Sequence, residues 1–122
     1  MSPGHPRVGV VVLNYLGVDD TLACLESLAV LDDPVRVIVV DNGSHDGSAR
    51  LVAEQFQHVR LIRNQRNTGF AHATNQGVEA ARGAYVLFLS TDTVVTGNAV
   101  KLMLAFLEQN LRYGAAAPQL VH

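Results

Sequence analysis

The sequence predicts a single α/β domain, with a mostly parallel sheet covered by helices on both faces. Three observations carry this expectation. Short apolar runs alternate with segments of helical periodicity from Val8 to Leu111, the order produced by strand–helix–strand units. The strand candidates are continuous β-branched runs, as burial on both faces requires. Finally, 122 residues with 48% hydrophobic and 16% charged side chains suffice for one core and are too few for two ordinary domains.

Residues 1–7 are polar and broken by Pro3 and Pro6, and read as a disordered lead to a domain over 8–122. Val8–Leu13 is a central strand. Asp19, Asp20 and Thr21 then offer capping side chains to a helix whose Leu22, Leu25, Leu28 and Ala29 share a face, and Asp32-Asp33-Pro34 ends it. Arg36–Asp41 is a second buried strand. After a Gly/Ser/Asp loop, Ala49, Val52, Ala53 and Phe56 mark a second helix. Val59–Arg63 alternates as a strand near the sheet edge, which its two arginines suit. A helix follows from about Gly69 to Arg82, with Gly83 closing it. Ala84–Leu89 is the fourth strand. Thr96-Gly97-Asn98 opens a last helix carrying Val100, Leu104, Leu107 and Leu111, and Gly114–Ala117 begins a fifth strand.

Composition narrows the function. A formal net charge of −2 argues against a broad surface for nucleic acid or anionic membrane. The single cysteine, Cys24, permits no internal disulfide and suggests a reducing, cytoplasmic setting. It sits among leucines and alanines and reads as a packed side chain. The apolar run at Val8–Leu13 falls far short of the ~20 residues of a membrane span. His5, His45, His58, His72 and His122 show no metal-ligand spacing.

In open α/β sheets, ligands bind beyond the carboxyl ends of the strands. Here those ends read Asn14-Tyr15, Asp41-Asn42-Gly43-Ser44-His45-Asp46-Gly47-Ser48, Asn64-Gln65-Arg66-Asn67-Thr68-Gly69 and Ser90-Thr91-Asp92-Thr93. Each carries amide, hydroxyl or carboxylate groups. The Gly43–Ser48 loop lacks the lysine of a P-loop and the spacing of a dinucleotide fingerprint, so neither reading holds. Asp46 or Ser44 serves instead to cap the next helix. A signalling receiver domain would need an acidic pair after the first strand and an acceptor aspartate after the third, where Asn14-Tyr15 and Arg63-Asn64 stand.

In order and spacing, these segments resemble the nucleotide-sugar-binding half of inverting family 2 glycosyltransferases, which have the Rossmann-like GT-A fold. The matching pieces are Val10–Tyr15, Val39-Val40-Asp41-Asn42-Gly43-Ser44 with Asp46-Gly47-Ser48, Asn67-x-Gly69-Phe70-Ala71 with Asn75-x-Gly77, and Leu87-Phe88-Leu89-x-x-Asp92-Thr93. The subgroup most alike makes bacterial surface polysaccharides and includes rhamnosyltransferase-like members. The resemblance implies a nucleotide-binding set of Asn14, Asp41, Asn42, Arg66, Asn67 and Gly69, with a UDP- or dTDP-sugar as donor and a glycan or lipid-linked acceptor. Asp41 would accept the N3–H of the base, and Asn14 would line the same pocket. The bland alternatives are that Asp41 caps its own loop, that Asn14 forms a turn, that Asn67 or Thr68 caps the third helix, and that Gly77 serves helix–sheet packing.

Asp92 takes the last place of the family's acidic metal-binding motif, which implies Mn²⁺ or Mg²⁺. A carboxylate about 4 Å from a phosphate charge costs roughly 4 kcal/mol at an effective dielectric of 20 unless a cation intervenes. Ser90 stands where the family often has a second acid, so the diphosphate would supply remaining ligands. Family members continue well past the position of His122, and no convincing base is found in residues 93–122, where Glu108 reads as solvated. The expectation is a domain truncated before its acceptor half, with the catalytic base beyond residue 122 and, in the full enzyme, a place at the inner membrane face. A non-catalytic nucleotide-binding module is the alternative.

Overall fold

The structure is a computed structural model that describes residues 8–30, 35–81 and 85–89. It contains β1 (Val8–Asn14), α1 (Val18–Ala29), β2 (Val35–Asn42), α2 (Ser48–Gln55), β3 (Arg60–Asn64), α3 (Phe70–Ala81) and β4 (Tyr85–Leu89). The four strands form one parallel sheet in the order β3-β2-β1-β4. The chain therefore steps outward from β1 through β2 to β3, then crosses to the far side of β1. This reversal makes the β1/β4 boundary a topological switch point.

The strands bury alternate residues on opposite faces because side chains alternate across the pleat. Val10, Val12, Val37 and Val39 join Cys24, Leu25 and Leu28 of α1 and Val52 of α2 in one core cluster. Val11, Ile38 and Val40 meet Ala73 and Ala81 of α3 in the other. Helices thus cover both faces, as the unbroken β-branched runs require. Each of these valines contributes about 1.5–3 kcal/mol by leaving water. Cys24 is a packed core side chain, and β3 lies at the edge of the sheet formed by the described strands, with exposed Arg60 and Arg63.

Small residues let α3 lie close to β1. A Cβ on Gly77 would come within 2.4 Å of Val11 Cγ1, and one on Gly9 within 2.5 Å of Ala81 Cβ. Gly77 therefore serves packing, the bland reading of its place in the motif.

Helix starts differ from expectation at α1. Its N-cap is Gly17, without a side-chain cap bond, and Asp19 and Asp20 lie inside the first turn. There their charge favours the positive end of the helix dipole instead of capping a backbone amide. At α2 the N-cap is Gly47, without a side-chain cap bond, and Asp46, one residue before it, ties down the first helical amide. Its Oδ1 accepts the Ser48 N–H at 3.0 Å and the Ser48 hydroxyl, beside a left-handed Gly47 at φ 84. Several expectations lie outside the described residues: the 1–7 lead, the Asp32-Asp33-Pro34 stop, the Gly83 cap, Ser90, Asp92, Glu108, the helix from Thr96 and the strand from Gly114.

Candidate functional site

Parallel register brings the polar strand ends together. Asn14 of β1 pairs with Asp41 of β2, Asp41 with Arg63 of β3, and Asn42 with Asn64. Two hydrogen-bonded knots result, joined through the neighbouring residues Asp41 and Asn42.

The first knot is buried. Asn14 is 1% exposed and Asp41 2%. Asn14 Nδ2 donates to Asp41 Oδ1 at 2.8 Å and to Ser44 Oγ at 3.2 Å. Thr21, expected as a helix cap, instead turns inward from the first turn of α1 and donates its hydroxyl proton to Asn14 Oδ1. Ser44 Oγ also accepts the Leu16 N–H at 2.9 Å. That bond ties the β1–α1 loop, where Leu16 holds an uncommon left-handed φ of 53, to the β2–α2 loop. Among the described residues, Asp41 receives a side-chain hydrogen bond only from Asn14, and on Oδ1. It caps no amide of its own loop, so the bland reading of Asp41 finds no support in this geometry.

The second knot shapes the β3–α3 loop. Asn42 Oδ1 accepts from Asn64 Nδ2 at 3.2 Å and from both the backbone N–H and the hydroxyl of Thr68 at 3.0 Å. Its Nδ2 donates to Asn67 Oδ1 at 3.0 Å and to the Gly69 carbonyl at 3.4 Å. Asn64 and Gln76 exchange a pair of amide bonds at 2.8 and 3.0 Å, fastening the end of β3 to α3. Gly43, at φ 85, lies so near this loop that a Cβ there would sit 2.5 Å from the Arg66 carbonyl carbon.

The loop that these bonds hold is itself open to solvent. Arg66, Asn67 and Gly69 are exposed, and Phe70 is 74% exposed at the start of α3. Asn67 Oδ1 accepts the Gly69 N–H at 2.9 Å, so Asn67 does cap the turn into the helix. Gly69 has φ 90 with open space where a Cβ would be. Arg66 has no acidic partner among the described residues. A cation thus stands beside a helix N-terminus whose first N–H groups lack intrahelical acceptors, a setting that suits an anion.

Of the residues expected from sequence, the structure brings Asn14, Asp41, Asn42, Arg66, Asn67 and Gly69 to one end of the sheet. Asn14 and Asn42 have their amides committed to protein groups, whereas Arg66, Asn67 and Gly69 face outward. Asp92 lies outside the described residues, and among those described no three His, Cys, Asp or Glu side chains cluster as a metal site. His45, His58 and His72 are exposed. Leu16 and Gln76 were not expected from sequence, Thr21 was expected only as a helix cap, and Asn64 was named at its strand end without a role. For Gln76 the available signal was its place on the helix that follows Asn64.

The sequence profile of Glycosyl transferase family 2 matches residues 8–121. The chain belongs to that family. It is 37% identical over 93 residues to the Escherichia coli (strain K12) protein named uncharacterized glycosyltransferase YibD, covering 73% of this chain and 27% of the relative. It is 38% identical over 101 residues to the succinoglycan biosynthesis protein ExoO of Rhizobium meliloti (strain 1021), covering 81% and 29%. The fold matches that of the mannosyltransferase PcManGT from Pyrobaculum calidifontis, solved with GDP-Man and Mn²⁺, with a TM-score of 0.75 and 27% identity over 84% of this chain and 32% of that one. It also matches Staphylococcus aureus TarS 1–349 in complex with UDP-GlcNAc, at a TM-score of 0.77 and 24% identity over 93% of this chain and 37% of that one. The sheet and its helices are therefore of the GT-A type. The chain spans less than a third of the length of the two curated relatives.

Proposed function

We propose that this chain forms the donor-binding part of an inverting glycosyltransferase that uses a UDP- or dTDP-sugar. The acceptor would be a glycan or lipid-linked saccharide in surface polysaccharide synthesis at the cytoplasmic membrane face, with rhamnosyltransferase-like enzymes the subgroup suggested by the motifs. The observation that carries the reading is Asp41: a buried carboxylate at the carboxyl end of a central strand, with Oδ1 engaged and, among the described residues, no partner on Oδ2. Such an oxygen accepts the ring N–H of uracil or thymine, a charge-assisted bond contributing about 1.5–3 kcal/mol. Guanine also presents a ring N–H, whereas cytosine and adenine present ring acceptors there and would be rejected. Arg66 and the N-terminus of α3 would take the phosphates, with Asn67 and Gly69 against the ribose.

A divalent ion, Mn²⁺ or Mg²⁺, would offset the diphosphate charge at Asp92. The solved structure of PcManGT holds Mn²⁺ with GDP-Man. The test is calorimetric titration with UDP, dTDP, GDP, CDP and ADP, with and without Mn²⁺. UDP or dTDP should bind best, more tightly with metal, and Asp92→Ala should abolish the metal's effect. Equal binding of UDP and CDP would overturn the role of Asp41, and unchanged metal dependence in Asp92→Ala would overturn that of Asp92.

A further inference from the structure

Asn14 and Thr21 are buried, at 1% and 0% exposure, and lie in line behind the Asp41 carboxylate: Asn14 donates to Asp41, and Thr21 donates to Asn14. We propose that Thr21 is a positioning residue which, through Asn14, sets the orientation of the Asp41 carboxylate toward the base. The proposal rests on the base-reading role of Asp41. An asparagine amide can present either its oxygen or its nitrogen to a neighbour. A carboxylate accepts only, so Asn14 must turn Nδ2 toward Asp41, and Oδ1 then faces Thr21. The Thr21 hydroxyl donates to that oxygen and holds the amide in this sense. The two Nδ2 protons go to Asp41 Oδ1 and Ser44 Oγ, so the amide has no unspent donor. Asp41 Oδ1 is thereby fixed, and Oδ2 is the carboxylate oxygen that no described residue engages.

The elements that hold this chain of bonds are rigid at both ends. Thr21 stands on α1, while Asn14 and Asp41 are paired in the centre of the sheet. Ser44 adds a fourth support by accepting the Leu16 N–H. Loss of the Thr21 hydroxyl leaves Asn14 Oδ1 buried without a donor, so the amide is released to turn or to admit water. The carboxylate then samples orientations in which neither oxygen faces the base.

The experiment compares wild type, Thr21→Val, Thr21→Ser and Asp41→Ala in the 122-residue chain. Titrations with UDP and with inorganic pyrophosphate are paired with exchange rates of the Asn14 side-chain amide protons by NMR. Thr21→Val keeps the shape of the side chain without its hydroxyl. It should weaken UDP about 3- to 10-fold, leave pyrophosphate unchanged and accelerate Asn14 exchange, while Thr21→Ser restores all three. If Asp41→Ala loses UDP selectively and Thr21→Val does not, or if Thr21→Val loses both ligands equally, the positioning role is overturned. If Asp41→Ala shows no selectivity, the base-reading function falls. Asn14 exchange then decides the relay alone, and rates in Thr21→Val equal to wild type overturn it.

Discussion

Asp41→Asn changes the chemistry of the site while preserving its shape. The new amide oxygen can still accept the Asn14 Nδ2 proton where Oδ1 now does, at 2.8 Å, so the buried donor stays satisfied. The second oxygen becomes an NH₂ group. A uracil N3–H would then face a donor and lose one charge-assisted bond, about 1.5–3 kcal/mol, which is about 10- to 150-fold in affinity. Cytosine carries an acceptor at the same ring position and gains a partner. Wild type should therefore prefer UDP to CDP, and Asp41→Asn should reverse the order, with pyrophosphate affinity unchanged. Calorimetry with the three ligands measures this directly. Parallel losses of UDP and CDP, or a fall in pyrophosphate affinity matching that of UDP, would refute base reading by Asp41.

Further substitutions test the framework. Asn42→Ala leaves the Thr68 N–H and the Asn64 amide without their shared acceptor, and should cost about 1–3 kcal/mol in urea unfolding, with the fastest amide exchange gain at Thr68. Gly43→Ala forces a side chain into a left-handed backbone against the Arg66 carbonyl carbon, and should destabilise the fold by about 1–3 kcal/mol. Burial pushes the Cys24 thiol up to about 11 from 9.0. The folded chain should therefore resist alkylation at pH 8, and stability should hold below pH 9 and decline between 9 and 11, as the unfolded thiol ionises first.

Strand identity was legible because β-branched runs leave few alternatives, and the helix faces followed from apolar spacing at Leu25, Leu28, Ala49 and Val52. The carboxyl-end rule then placed Asp41, Asn14 and the Arg66–Gly69 loop at one end of the sheet. What sequence could not supply was the division of labour among those residues. Thr21 has the composition of a helix cap, and a threonine hydroxyl serves equally well as a cap or as a buried donor. Only the rotation of α1 against β1, fixed by packing around Cys24 and Leu25, turns it toward Asn14. Likewise, Asn42 and Asn64 meet because β2 and β3 pair in one register, and a shift of one residue would separate them. The tie between Asp46 and the start of α2 was legible because it is local, spanning two residues of chain.

On the proposed function, a nucleotide binds at the carboxyl end of β1 and β2, against the loop that leads into α3. An NMR titration of the isotope-labelled chain with UDP in the presence of Mg²⁺ locates the ligand without assuming any residue's role. Shifts should concentrate at Asn14–Leu16, Asp41–Ser44 and Arg66–Phe70, with Val8, Val35 and Arg60 at the opposite ends of their strands undisturbed. Shifts clustered at those opposite ends, or none at millimolar UDP, would contradict this placement.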